Sequence, residues 1–440
     1  MRKIAIGISS ITILFLVYYF AIGRQQAIDE LKAVVDRELQ TLQKNGFTIE
    51  DRNISRDSEH FTIHYTDSKK IAEYLNSKNV EMTLDDSQEF EGMKIATDIH
   101  YLDGLYSAIS VDLYPISLSD KFVQNLSMAD KKTVEKIIRE KIVLLHVDIN
   151  KLFNSFRGNL KDIETTIESD DENFTISSKG IEFGGDFDKN SLISSYQKID
   201  RVEIDSKFLK LLIEKSSGSY ERGDSIYEYS SSYEIESLAG SLGRDIKLSI
   251  DGVDIKSESK VDNKMASASY SMNISKVDLI HPDGSYTLNK IENLITIENF
   301  STEAIEKLTK VDRGDREATI KALEHLLTKD LTLKVERLSV DKIKEPTHDK
   351  PIDGFQINAS ANIVKPILFR DVEQNPLSIV DHISTKMHIE LSDKLYLVLQ
   401  KRPELMILSM ILKPIIQKDK MVFDLNYSSN GLIINGKPLL

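Results

Sequence analysis

From roughly Val143 onward, apolar residues keep falling on alternate positions of the chain. Phe174–Ile176, Ile181–Phe183, Ile246–Ile250, Val253–Ile255 and Ala266–Ile274 all show the pattern. A period of two puts every second side chain on one face, so these segments are expected to be strands with one buried face. Asp251-Gly252 separates two of the runs as a hairpin turn or a bulge. The expected architecture is α+β: a large, twisted, curled antiparallel sheet with short helices packed on one face. Long flat sheets expose aggregating edges, so a sheet of this kind closes or curls. With its apolar parity inward it would form a groove.

The other constraint lies at the N-terminus. Met1-Arg2-Lys3 is followed by Ile4–Gly23, which contains no charge and only Ser9, Ser10 and Thr12 as polar interruptions. A helix of that length rises about 30 Å, enough to cross a bilayer core. Tyr18, Tyr19 and Phe20 suit the interfacial aromatic belt. The expectation is one N-terminal transmembrane helix, retained as a signal anchor. A cleaved signal peptide is the rival reading, because Ala21 and Gly23 are small residues at the right offsets for cleavage after Gly23. Arg2 and Lys3 on one side nearly balance Arg24, Lys32 and Arg37 on the other, so charge alone leaves the orientation undecided. The short basic leader and the long following body favour export of the body.

Arg24–Lys44 carries Ile28, Leu31, Val35, Leu39 and Leu42 at helical spacing and ends at Asn45-Gly46. It reads as a stalk helix that docks on the body. His60–Thr66 alternates as a strand, and Asp67-Ser68 can cap a short helix bearing Ile71, Ala72 and Leu75. Met93–Tyr101 and Leu105–Leu113 flank Asp103-Gly104 and predict a hairpin. Lys131–Ile142, Thr302–Leu308, Arg316–Leu327 and Glu404–Lys418 read as helices, and Met421–Tyr427 with Leu432–Ile434 as a final hairpin. The regions are then an anchor (1–23), a stalk helix (24–46), an N-terminal α+β region (47–142) and a β-rich, repeat-like region (143–440) closing in a helix and hairpin. Ile116–Phe122 is echoed by Ile389–Leu395, and more loosely by Ile204–Phe208 and Glu298–Glu303. Each pairs a strand-like residue with a Ser or Asp helix cap. A general strand-to-helix junction and a duplicated unit both account for this.

Candidate chemistry is sparse. The chain has no cysteine, which excludes disulfides, thiolate metal sites and thiol nucleophiles. Its net charge of -13 argues against nucleic acid. His60 and His64 lie on one face of a strand, too far apart to share a zinc ion. Asp186–Asn190 begins like a calcium loop, but Ser191 and Gln197 stand where glycine and glutamate are needed, so a turn between strands is the better reading. S-x-x-K occurs at Ser195/Lys198, Ser257/Lys260 and Ser339/Lys342, about as often as chance supplies. Phosphate-binding glycine loops are missing. No catalytic, cofactor or metal residue is assigned. Tyr227, Tyr229 and Tyr233 share a parity with Ile235 and form a candidate ligand-stacking strip, although such stripes more often pack on the sheet.

The pattern resembles the YdgA-like family of bacterial envelope proteins. The likeness rests on the anchor, the short alternating strands, Leu279–Leu288, the strand and short helix of Ile297–Leu308, and above all the C-terminus. There Asn430-Gly431-Leu432-Ile433-Ile434-Asn435-Gly436-Lys437-Pro438-Leu439 is similar to the family's closing strand. The resemblance implies a single-pass bacterial inner-membrane protein with its N-terminus in the cytoplasm and its body in the periplasm. It brings no catalytic residue. The function expected on these grounds is a non-enzymatic structural or assembly role in the envelope. The alternative is lipid or hydrophobic-ligand handling through a sheet-lined groove, and a hydrolase is the least supported. The expected partners are the bilayer, reached through the N-terminal helix, and envelope proteins or lipids.

Overall fold

The computed structural model describes residues 28–438, apart from 78–81, 102–104, 125–127, 168–172, 189–190, 244, 312–314, 329, 347, 349, 402–411 and 430. The Ile4–Gly23 segment and the Asp103-Gly104 turn therefore lie outside the described residues. Among those described, no helix is long and apolar enough to cross a membrane. The chain divides into two compact units at Ser217/Gly218, inside one strand. Alternation alone predicts the change of character earlier, at 142/143.

The first unit is a meander laid over helices. Its elements are α1 (Ile28–Lys44), β1 (Phe47–Ile54), β2 (Ser58–Tyr65), α2 (Ser68–Ser77), α3 (Leu84–Gln88), β3 (Lys94–Tyr101), β4 (Ser107–Ser117), α4 (Asp120–Gln124), α5 (Met128–Arg139), β5 (Leu145–Asn150) and β6 (Ser155–Leu160). They continue as β7 (Ile163–Ile167), β8 (Phe174–Lys179), β9 (Ile181–Asp188), β10 (Ser191–Asp205) and β11 (Leu209–Arg222), which contains the unit boundary. Strands β1 to β6 pair antiparallel with their sequence neighbours. β6 then pairs with β9 and β7 with β8, in one continuous register. β9 and β8 in turn pair with successive halves of β10. Gly180 separates β8 from β9 with φ +61, and a Cβ there would meet the Asp200 carboxylate of β10 at 2.1 Å.

One parity of each strand points into the core. Phe61, Ile63, Ile95, Ile99, Ile109, Val111, Val147 and Phe156 pack with Leu31, Val35, Leu39 and Leu42 of α1 and Ile71 and Leu75 of α2. Full burial of each such side chain stabilises by about 1.5–3 kcal/mol relative to exposure. α1 is thus a wall of this core as well as a connection to the N-terminus. α2 starts where the capping residues predict, with the Asp67 carboxylate accepting from the Lys70 amide at 3.1 Å.

The second unit is a longer meander. Its strands are β12 (Tyr229–Leu242), β13 (Ile246–Asp262), β14 (Met265–His281), β15 (Gly284–Ser301), β16 (Thr332–Lys344), β17 (Ile352–Ile363), β18 (Ile383–Ser392), β19 (Ile415–Gln417), β20 (Lys420–Ser428), β21 (Gly431–Ile434) and β22 (Lys437–Pro438). β12 to β18 pair antiparallel in sequence order, and β20 follows β18. Helices α6 (Thr302–Lys310) and α7 (Arg316–Leu326) interrupt between β15 and β16. α8 (Phe369–Gln374) and a 3-10 turn (Pro376–His382) precede β18, and α9 (Asp393–Gln400) follows it. Ile415–Gln417 pairs with β20, which corrects the helix expected to reach Lys418; residues 404–411 of that expectation lie outside the described residues.

Asp251-Gly252 sits inside β13 and is no hairpin turn. At Gly252 the ladder omits one pair, and the omission repeats across Glu236, Gly252, Ser275, Lys290, Asp341 and Gly354. Gly252 and Lys290 have left-handed backbone, φ +63 and +49. The register does not shift, so this is a shared crease and not an extra residue in one strand. The apolar parity changes at the same line, from Ile250 to Val253 and from Leu288 to Ile291.

The four echoed segments divide. Ser301 and Ser392 cap α6 and α9, accepting from the amides of Ala304 and Leu395 at 3.2 Å each. Ile116–Phe122 also runs from strand to helix. Ile204–Phe208 instead runs from the end of β10 into the turn before β11, closed by the Leu209 amide donating to Ser206 Oγ at 3.0 Å.

Candidate functional site

Register turns the alternation of the second unit into rows that cross the sheet. One row runs Ile235, Val253, Ile274, Ile291, Val340, Phe355, Leu391, Met421. Two positions along each strand, a second row runs Tyr233, Ile255, Met272, Asn293, Leu338, Ile357, Ile389, Phe423. Tyr270, Ile295, Val335, Ala359, Met387 and Leu425 continue a third. Eight strands at about 4.8 Å spacing span about 34 Å, close to the hydrocarbon thickness of a bilayer. At the far edge α9 lies on this face, with Tyr396 and Phe423 ring centroids 6.1 Å apart. Toward β12 to β15, Ile255, Met272, Ile274, Ile291 and Ile295 are only half-buried. Val253, Val340 and Phe423 within the rows are buried, so the open part is the half-buried stretch on β12 to β15. Contiguous apolar surface of that kind marks a binding face more often than plain solvent exposure.

Of the tyrosines singled out from sequence, Tyr229 and Tyr233 lie on β12 with this face's parity. Tyr229 stacks on Tyr220 with centroids 6.2 Å apart and shares a 3.1 Å hydrogen bond with Ser257 Oγ. Tyr227 belongs to the preceding turn and does not extend the strip. Sequence reasoning misses the rows. Their signal is present in each strand, but only the pairing shows that they align.

The opposite face of the same sheet is polar. Glu292, Ser339, Gln356 and Glu390 follow one another across it and line a cleft of about 490 Å³. Arg337 binds Glu292 at 2.8 Å and Lys420 binds Glu390 at 2.5 Å. His388 sits between Asp424 (2.7 Å) and Glu390 (3.3 Å), and Asp424 above all holds its imidazole above the ordinary range. These charges already pair with one another.

The outward face of the first unit repeats that arrangement. His60 contacts Asp98 at 2.6 Å, His64 contacts Glu50 at 2.7 Å, and His146 contacts Asp112 at 2.7 Å. His60 and His64 therefore serve separate carboxylates. Ser107 and Ser110 both donate to Asp148 at 2.6 Å, so neither hydroxyl is aimed at an imidazole as a nucleophile requires. The lysines of the three S-x-x-K segments bind Asp200, Glu258 and Asp353. Asp186 accepts from Ser194 Oγ at 2.7 Å across the β9–β10 hairpin, the turn between strands that the sequence favoured. Among the described residues no group of three His, Asp or Glu is arranged to hold a metal ion.

No family model matches the chain, and neither the curated proteins nor the solved structures contain a match.

Proposed function

We propose that the protein handles lipid acyl chains, or a ligand of the same extended apolar kind, on the open face of the second unit's sheet. The carrying observation is the set of aligned rows from Tyr233 and Ile235 to Phe423 and Met421, half-buried toward β12 to β15. An apolar chain laid across the strands would meet a side chain about every 5 Å. Curling of the sheet about its crease would turn the face into a trough. The proposal includes the location implied by the YdgA-like resemblance. Ile4–Gly23 holds the chain in a bacterial inner membrane, and the body lies in the periplasm.

Native mass spectrometry of the full chain, released from mild detergent, tests this. Phospholipid bound in fixed stoichiometry is the expected result. Ile274→Glu places a charge in the centre of the face and should abolish retention. Leu294→Glu, one residue from the apolar parity on β15, should leave it intact. Equal retention by both variants, or none by the parent, would sink the reading.

A structural or assembly role in the envelope is the second reading. It is favoured by the first unit, where α1 and α2 close the inner face of the sheet and the outer face is occupied by ion pairs.

A further inference from the structure

The first unit presents its hairpin turns in a row at one end. The β1–β2, β3–β4 and β5–β6 connections all lie there, because each joins antiparallel neighbours in the order β1 to β6. Each shows a large apolar side chain to solvent: Ile54 at 51%, Leu105 at 99% and Leu152 at 61% exposure. Single exposed hydrophobics are ordinary, but one at each of three successive turns is a pattern, although the β9–β10 connection at the same end is flanked by the polar Asp188 and Ser191. Successive tips are two strands apart, about 10 Å. They are also braced. The Tyr101 amide donates to Asp57 O at 2.8 Å, and the Lys151 amide to Tyr106 O at 3.2 Å. Beside Leu105, the Arg157 guanidinium lies 4.0 Å from the centre of the Tyr106 ring. An aromatic ring and a cation just behind apolar tips are the residue types of a bilayer interface.

The start of α1 lies at the same end. Lys32, in its second turn, donates to Ser55 O at 2.7 Å and Arg56 O at 2.9 Å in the β1–β2 turn. The uncharged Ile4–Gly23 stretch precedes α1 by a few residues in the chain.

We infer that this row of tips is a membrane-contact edge. Ile54, Leu105 and Leu152 enter the headgroup–acyl boundary of a bilayer, an inference that rests on the proposed anchoring of the chain through Ile4–Gly23. Tyr106, Arg157 and the exposed Lys151 sit at headgroup level. The contact is separate from the lipid-handling face of the second unit and does not depend on it. It fixes the tilt of the first unit on the membrane and keeps it from swinging on the N-terminal tether.

The chain has no tryptophan, so one introduced residue reports alone. Leu105→Trp and Ile116→Trp place the reporter at opposite ends of β4, both at exposed positions. The full chain is reconstituted in vesicles of phosphatidylethanolamine and phosphatidylglycerol, with and without bromine on the acyl chains. Bromination should lower Leu105→Trp emission roughly twofold at a depth of about 5–10 Å and leave Ile116→Trp unchanged. Leu152→Trp should follow Leu105→Trp. Unquenched Leu105→Trp, or equal quenching of both ends, overturns the inference, and neither outcome bears on lipid retention by the second unit.

Discussion

Thr97 is fully buried in the first unit's core, and its hydroxyl has no hydrogen-bond partner there. A buried donor left unmade costs more than an apolar group of the same shape. Thr97→Val should therefore raise the stability of the unit by about 1 kcal/mol, read from the urea midpoint. His146 offers a pH signature. Asp112 first, then Asp148, hold its imidazole above the ordinary 6.5, against burial. A raised folded-state value means the contribution is fully present below about pH 6.5 and is lost as pH rises through the higher folded value. The midpoint should fall on that alkaline side, and His146→Gln should flatten the slope. The same slope in parent and variant would assign the effect elsewhere. From sequence these residues are only alternating polar positions, since the carboxylate facing each histidine comes from a neighbouring strand.

At the scale of elements, the crease of the second unit is the feature most exposed to a single change. A Cβ at Gly354 would stand 1.9 Å from the Val340 carbonyl oxygen, a backbone atom that a side-chain rotation cannot clear. Gly354→Ala should cost about 1–3 kcal/mol through the overpacking it forces, while Gly243→Ala, with nothing within 4 Å but φ +63, should cost less. Denaturant midpoints of the two variants decide the order. The β3–β4 and β20–β21 hairpins, α1, α6 and α7 are legible in the sequence, because periodicity and caps act within a few residues. The strand Ile415–Gln417 is not, because apolar residues in a short segment fit helix and strand alike, and the partner β20 selects the strand.

For the whole molecule, a ligand that binds the folded second unit alone must stabilise it by mass action. At a hundred times its dissociation constant, lipid should add about 2.7 kcal/mol. Titrating phospholipid into detergent-solubilised full chain should raise the calorimetric midpoint, and Ile274→Glu should remove the rise. The candidate site is half visible in sequence. Each strand's apolar parity can be read, and a groove is expected, but that Tyr227 lies in the turn before β12 cannot be read, and the long rows stay hidden.

Sequence by itself determined the strand-rich meander, the helix that opens the first unit and the uncharged N-terminal stretch, because alternation, helical stripes and charge are local properties. Tertiary structure decided which side chains become neighbours. Register aligned Ile235 with Met421 across eight strands, set His60, His64 and His146 against carboxylates of neighbouring strands, and brought Ile54, Leu105 and Leu152 to one end. A one-residue slip in pairing would move every one of those side chains to the other face, and no local signal in a strand specifies which residue of its neighbour it will face.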